Sequence, residues 1–462
     1  MTAAMEVETK TMKQRIEIRN FGPIKHVDLD IADFTLFIGP NASGKSTIAK
    51  LVWFCQVVIQ TLTNRAVELV IYGKQGPLPS DGILAVADLL FKNIWDAEVL
   101  QDDFEVHLYS TSQETEEQRI VSIRKHPKEK NKVQFDCNDD MMNQIDEFVK
   151  WVEYLSGESP QCQKNSTVFG FVPAKASSEL VKLLQKFGCG NALMFIPAGR
   201  QAFAIPKDER QSLSSDYFMK EFYEHTKEQK KQFRKPISQK LKDKREEYSA
   251  NKQLECLELA QDLISKILKG KYVSPRDDER IYFDKEQYVK LYEASSGQQE
   301  ALWILNSIFS SIELQQDIFT VIEDRFTVIE EPEAHLYPET QKTITELISL
   351  LANQRGNQVM ITTHSPYILS ALNNLLYAHK VGKTKPDEVA GVIDPLLWVD
   401  IDRVAAYKVE DGTIRNIVDR RTSDNLNGLD MIIPEEIDAL PHDPIVEDYT
   451  RLFNLDDCND AD

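Results

Sequence analysis

The chain has 462 residues, of which 42% are hydrophobic and 28% charged, and its net charge is −20. That much apolar material builds a large core or two. The acidic balance excludes a surface that clings to nucleic acid or anionic lipid over its whole extent. The cysteines Cys55, Cys137, Cys162, Cys189, Cys256 and Cys458 form no CxxC pair and no zinc-type spacing, so reduced thiols are expected. The opening stretch lacks the apolar core of a signal peptide, and no run of about 18 apolar residues stands out. A cytoplasmic location and no membrane partner are the expectation.

In chain order, a strand over Ile16 to Arg19 leads into the turn Asn20-Phe21-Gly22-Pro23, and Val27 to Ile31 alternates as a second strand. The aromatic Phe21 is open to two readings, a core residue or a platform for a nucleotide base. Phe34 to Ile38 is a short apolar strand, followed by a glycine-rich loop and a helix from about Lys45 to Gln60. Ser80 to Trp95 reads as helix. Phe104 to Tyr109, Arg119 to Arg124 and Lys132 to Asp136 alternate, which predicts a small antiparallel sheet. Asp139 to Leu155 and Ser177 to Phe187 favour helix, and Leu193 to Pro197 favours strand.

Ser214 to Phe233 and Ile237 to Leu268 are polar, helix-favouring stretches, broken at Pro236 and closed by Gly270, and together predict an inserted helical hairpin. A second half begins near Tyr272. It carries a helix after Gly297, a strand Phe326 to Ile329, a helix after Pro338, a strand Gln358 to Thr362 and a hairpin at Asp411-Gly412. The tail past Asp456 is acidic and expected to be unstructured.

The loop Gly39-Pro40-Asn41-Ala42-Ser43-Gly44-Lys45-Ser46-Thr47 fits GxxxxGK[ST], with a strand before it and a helix after it. Glycines let backbone N–H groups turn onto phosphate oxygens, and the helix N-terminus adds its dipole. Lys45 is expected to reach the β- and γ-phosphates, and the Ser46 hydroxyl to ligate Mg²⁺. ATP and Mg²⁺ are therefore the expected cofactors.

Further along, Tyr292-Glu-Ala-Ser-Ser-Gly-Gln-Gln-Glu300 reads, by itself, as a helix N-cap. Phe326-Thr-Val-Ile-Glu330-Glu331-Pro-Glu-Ala-His-Leu-Tyr-Pro338 delivers two carboxylates at the end of a buried strand, or else an acidic helix start. Val359-Met-Ile-Thr-Thr-His364-Ser-Pro-Tyr ends a strand on a histidine.

Taken in order, these motifs resemble those of ABC-type ATPases of the SMC/RecF/OLD branch. The resemblance covers residues 14–205 and 272–415. It implies an α/β P-loop NTPase of ABC/SMC type with a mixed central sheet, a small antiparallel sheet and the inserted hairpin. It divides the chain into a first lobe (14–205), the hairpin (206–271), a second lobe (272–415) and a C-terminal extension (416–462). By the resemblance, Ser296 and Gly297 open a helix that meets the γ-phosphate of ATP held by a second copy, with Gln299 in the first turn. Glu330 would hold Mg²⁺, Glu331 would orient the attacking water, and His364 would sense the γ-phosphate. Glu333 and His335 fall in the segment that joins the two sites of the pair. Arg200 or Gln201 takes the Q-loop place, the other reading being a structural loop arginine.

The chain also resembles the stand-alone ATPase subunits of antiphage systems such as Septu and PARIS. That implies a head-to-tail homodimer around ATP, further assembly, and control of a separate effector, an HNH or Toprim nuclease. No such nuclease is legible in the chain. Asp400 and Asp402 form a DxD, but they read as loop residues before the strand Val404 to Val409. The histidines His107, His126, His225, His379 and His442 are scattered.

Basic residues crowd Lys227 to Arg245 at the predicted hairpin tip. Others, Arg124, Lys125, Lys128, Lys130 and Lys132, crowd a turn. These read as a solvated face, as a DNA phosphate clamp or as a dock for an acidic partner. The alternative function is a RecF/SMC-like DNA repair or recombination ATPase.

Overall fold

The computed structural model describes residues 13–70, 76–111, 116–127, 129, 132–157, 179, 183, 192–204, 216–245, 252–275, 278–314, 325–354, 356–419, 431–432 and 444–457. The helix expected over Ser177 to Phe187 and the last residues of the acidic tail lie largely or wholly outside these, as do Cys162, Cys189 and Cys458.

Strands β1 (Lys13–Phe21) and β2 (Ile24–Ile31) alternate buried and open positions around a turn in which Asn20 and Gly22 adopt left-handed backbone. Strand β3 (Phe34–Ile38) is buried at four consecutive residues, as a strand covered on both faces is. Helix α1 (Lys45–Val70) is longer than the sequence suggests, because its apolar positions continue through Leu62, Ala66 and Leu69, all buried. It is long and apolar enough to cross a membrane by length and composition, but 67% of that window is buried inside the molecule, as in a core helix.

Helix α2 (Ile83–Ile94) precedes β4 (Glu105–Thr111), β5 (Gln118–Lys125) and β6 (Val133–Cys137), then α3 (Asp139–Gly157) and β7 (Ala192–Ile196). A 3-10 turn over Arg200–Ala204 follows. Then come α4 (Tyr217–Lys230), capped by Asp216, α5 (Ile237–Arg245) and α6 (Lys252–Leu268). Short strands β8 (Lys271–Val273), β9 (Arg280–Tyr282) and β10 (Tyr288–Lys290) pair antiparallel. They lead into α7 (Ser296–Leu314), β11 (Arg325–Glu330) and α8 (Pro338–Ala352). Strand β12 (Asn357–Thr363), α9 (Pro366–Gly382), α10 (Pro386–Ala390), β13 (Val404–Glu410), β14 (Thr413–Asn416), the short antiparallel pair β15 (Val418–Asp419) and β16 (Met431–Ile432), and α11 (Pro444–Asp457) complete the order.

By compactness the chain forms two units. One comprises residues 1–32, 50–193 and 411–413; the other comprises 33–49, 194–410 and 414–462. In the first, β6, β5, β4, β1 and β2 lie side by side, all antiparallel. The three-stranded sheet expected from the sequence is thus extended by the two N-terminal strands. An aromatic cluster fills this unit: Phe21 stands 5.2 Å from Phe104 and 5.5 Å from Trp95, and Phe54 stands 5.5 Å from Trp95. Phe21 is 1% exposed, which makes it core and removes it as a base-stacking platform.

In the second unit β13, β3, β12 and β11 run parallel, with β7 beside β11. Ile38 pairs with Thr363 and Lys408, and Glu330 pairs with Thr362. That register sets the carboxyl ends of β3, β11 and β12 level, the edge at which open parallel sheets bind ligands. Helix α6 packs on α7 and α8, and its Leu257, Ala260, Leu263 and Ile264 belong to the core of this unit. Within 206–271 the described residues of α6 are therefore part of this core. The described residues there hold helices α4, α5 and α6, because Pro236 ends the first arm and the apolar stripe of α6 is buried.

Candidate functional site

All the residues that follow lie in the second compact unit. The loop from β3 to α1 begins with Gly39, where an added Cβ would come 2.2 Å from the Val409 carbonyl oxygen, so only glycine fits. Gly44 and Ala42 take positive φ (106° and 61°), which turns the chain into the helix. The Ser43 N–H donates to the Pro40 carbonyl at 3.4 Å, and the Ile48 N–H to Gly44 at 3.0 Å. Pro40, Asn41, Ala42 and Ser46 are exposed and Thr47 is half-buried, while Ser43 and Lys45 are buried. The Lys45 ammonium donates to the carbonyls of Gly39 and Pro40, at 2.8 Å each. Burial pulls its pKa below the usual lysine value, with Glu331 and Glu333 acting the other way.

Strand β11 ends on Glu330, which is 5% exposed. Its Oε2 accepts from the Ala198 N–H at 3.3 Å, and its Oε1 is buried with no hydrogen-bond partner. The Thr362 hydroxyl, on the neighbouring strand, is in the same condition. A buried polar atom left without a partner costs about 1–3 kcal/mol, and at the carboxyl edge of the parallel strands these two are placed where a ligand can satisfy them. Among the described residues no three His, Cys, Asp or Glu side chains group as a metal cage. One carboxylate with hydroxyls fits a hard cation such as Mg²⁺, which takes few protein ligands alongside phosphate oxygens.

Glu331 has φ 43°, left-handed for a residue that is not glycine. Its N–H donates to the Thr362 carbonyl at 2.8 Å. Its Oε1 lies 3.9 Å from Nδ1 of His364, whose side chain is 45% exposed. Glu333, given no chemical role by the sequence, holds that histidine. Its Oε1 accepts from the Thr363 hydroxyl at 2.6 Å and the His364 N–H at 2.8 Å, and lies 3.2 Å from His364 Nδ1. The third glutamate of Glu-Glu-Pro-Glu was the only signal for it.

Helix α7 is capped by Ser295 rather than Ser296. The Gln298 N–H donates to Ser295 Oγ at 3.3 Å and the Ser295 N–H to Gln298 Oε1 at 3.1 Å, a reciprocal capping box that leaves Ser296 exposed. Gly297 lies against the loop after β11, where a Cβ would come 2.7 Å from the His335 carbonyl. Gln299 turns inward: its amide donates to the carbonyls of Leu291, Tyr292 and Ala294, at 3.1 Å each. Of the two residues read for the Q-loop place, Gln201 is exposed and Arg200 is wholly buried among protein carbonyls. Burial pulls the Arg200 guanidinium below its usual value, against the pull of Glu300, Glu333, Glu330 and Glu331.

A family model for the AAA ATPase domain (AAA_15) matches residues 12–369. The chain belongs to this ATPase family. It is an ATP-binding enzyme that hydrolyses ATP, on an α/β P-loop fold with parallel and antiparallel strands. Among solved structures, the chain is similar to an Smc head bound to the C-winged helix domain of ScpA. That match has 13% identity over 87% of this chain and 96% of that one, with TM-score 0.39. The SMC head domain from Thermotoga maritima gives 13%, 88%, 98% and 0.33. The recombination mediator RecF with ATP gives 13%, 88%, 99% and 0.33. No curated protein matches the chain significantly.

Two other features of the ATPase are settled by geometry. Asp400 accepts from the Asp402 N–H at 3.1 Å and so caps the short turn before β13, as expected of a loop DxD. Four lysines of the basic stretch are paired with carboxylates. Lys230 is buried, donates to Glu279 at 2.9 Å and sits 4.8 Å from the Trp303 ring. Lys240 donates to Glu313 at 2.8 Å, and Lys227 and Lys231 pair with Glu224 and Glu228 one turn away. Arg234, Lys235 and Lys242 are exposed, while Lys128 and Lys130 lie outside the described residues.

Proposed function

We propose that this ATPase works as a Mg²⁺-dependent, head-to-tail pair that opens and closes with ATP and controls a separate effector, an HNH or Toprim nuclease, in antiphage defence. Gly39 to Thr47 cradle the phosphates, and Lys45 leaves the Gly39 and Pro40 carbonyls for the β- and γ-oxygens. Ser46 and Glu330 would hold Mg²⁺, which when bound neutralises charge on the phosphates. Glu331 accepts hydrogen bonds from the attacking water and polarises it. His364, oriented by Glu333, donates to the γ-phosphate. Ser296 and Gly297 offer the start of α7 to the triphosphate of the second copy. Gln201 takes the Q-loop place. The cell compartment that fits this role is the cytoplasm.

The observation that carries the reading is the pairing of an orphaned Glu330 oxygen with the sharply turned Glu331 at one strand end, beside His364. The test is the mass of the protein with and without Mg-ATP, taken on the parent and on Glu331→Gln. The variant is expected to bind ATP, pair and stall. A Glu331→Gln that turns over like the parent overturns the assignment. Co-expression with neighbouring reading frames tests the effector: no co-purifying nuclease or toxin removes that part. Among the described residues, exposed Arg234, Lys235 and Lys242 favour a RecF-like role. It requires ATP hydrolysis stimulated by DNA, with binding that falls steeply in salt.

A further inference from the structure

We propose that Arg200 is a positioning residue that couples the first turn of α7 to the catalytic end of β11. The inference rests on the reading that α7 meets the triphosphate of a second copy. The Arg200 side chain is 0% exposed and spends its donors almost entirely on backbone carbonyls. Nη1 donates to Pro197 and Glu330, at 2.6 Å each, and Nη2 donates to Glu331 at 2.9 Å. Nε donates to the Glu300 carbonyl at 3.2 Å and is 3.2 Å from the Glu300 carboxylate. The backbone N–H of Arg200 donates to that same carboxylate at 3.0 Å.

The carbonyls it grips are those on either side of the strained residue. Glu331 holds φ 43° between a carbonyl pinned by Arg200 and an N–H pinned by Thr362. A left-handed non-glycine residue persists only where its surroundings over-determine it. Arg200 is therefore part of what aims the Glu331 carboxylate.

The other end of the link is α7. Glu300 is one helical turn beyond Ser296, and it is 2% exposed. Gly297 touches the same loop a second time, at His335. The start of α7 thus contacts the 331–335 loop directly through Gly297 and, through Glu300 and Arg200, the carbonyls of Glu330 and Glu331. A shift of α7 on meeting a phosphate is transmitted to the water-orienting carboxylate. Only a planar fork with several fixed donors spans this set of acceptors, and a lysine ammonium does not.

The experiment compares Glu300→Gln and Arg200→Lys with Ser296→Arg in the full chain. Glu300→Gln keeps an acceptor for the Arg200 N–H and removes only the charge. It is expected to keep nucleotide affinity, ATP-dependent pairing and KM within about twofold, and to lose kcat by roughly tenfold or more. Arg200→Lys is expected to lose more kcat with the same split. Turnover within twofold of the parent in both variants overturns the inference. So does a loss of kcat matched by equal losses of affinity and thermal stability, which marks a structural pillar only. Ser296→Arg separates the two readings. If it abolishes pairing while Glu300→Gln turns over normally, the coupling fails alone. If it pairs and hydrolyses like the parent, the head-to-tail reading fails and the coupling with it.

Discussion

Replacing Glu331 by glycine and by alanine removes the same carboxylate but treats the backbone differently. At φ 43°, an L-residue with a Cβ is held where left-handed backbone costs roughly 1–2 kcal/mol. Glycine escapes that cost but gives up about 0.5–1 kcal/mol more chain entropy on folding. The difference leaves Glu331→Gly more stable than Glu331→Ala by roughly 0.5–1 kcal/mol, a shift of about 1 °C in Tm for a chain of this length. Thermal melts of both variants, nucleotide-free and side by side, read this directly, and single-turnover assays on both should show no hydrolysis. A glycine variant that melts at or below the alanine variant refutes the idea that this turn is strained. Hydrolysis surviving in either refutes the role given to the carboxylate. Together the two readouts say whether the site holds the proposed water-orienting residue at a cost to the fold.

Other outcomes follow from particular contacts. Gly39→Ala sets a Cβ against the Val409 carbonyl at 2.2 Å, so the loop must shift; ATP affinity measured by calorimetry should fall at least tenfold. Glu330→Gln keeps an oxygen for the Ala198 N–H but loses the charge proposed to face the cation, so half-maximal turnover should need several-fold more Mg²⁺. An unchanged Mg²⁺ dependence would move the metal elsewhere. Lys230→Ala takes the ammonium away from Glu279, whose side chain is 10% exposed and keeps the Tyr272 hydroxyl at 2.8 Å, and should cost about 2 kcal/mol in denaturant titrations. Lys231→Ala, an exposed pair with Glu228, should cost under about 0.5 kcal/mol. If Lys230→Ala weakens DNA binding without loss of stability, the pairing to Glu279 is not what holds that lysine.

The phosphate loop, the acidic strand end and the strand-terminal histidine were legible because their chemistry is local. Glycines at fixed offsets, two adjacent carboxylates and a histidine closing an apolar run announce themselves within about ten residues. That parallel register brings them to one edge of the sheet came from the structure. What stayed hidden depends on partners far apart in sequence. Arg200 gained its meaning from Glu300 and from carbonyls about 130 residues on, and Glu333 from His364. The basic run looked free until Glu279 and Glu313 were found beside it. Phe21 looked able to stack on a base until three aromatic neighbours, Phe91, Trp95 and Phe104, enclosed it. Composition and spacing thus determined which groups the protein owns. Only tertiary packing decided which of them face a substrate and which hold one another, because burial and hydrogen-bond geometry are properties of the folded neighbourhood and not of the neighbouring residue.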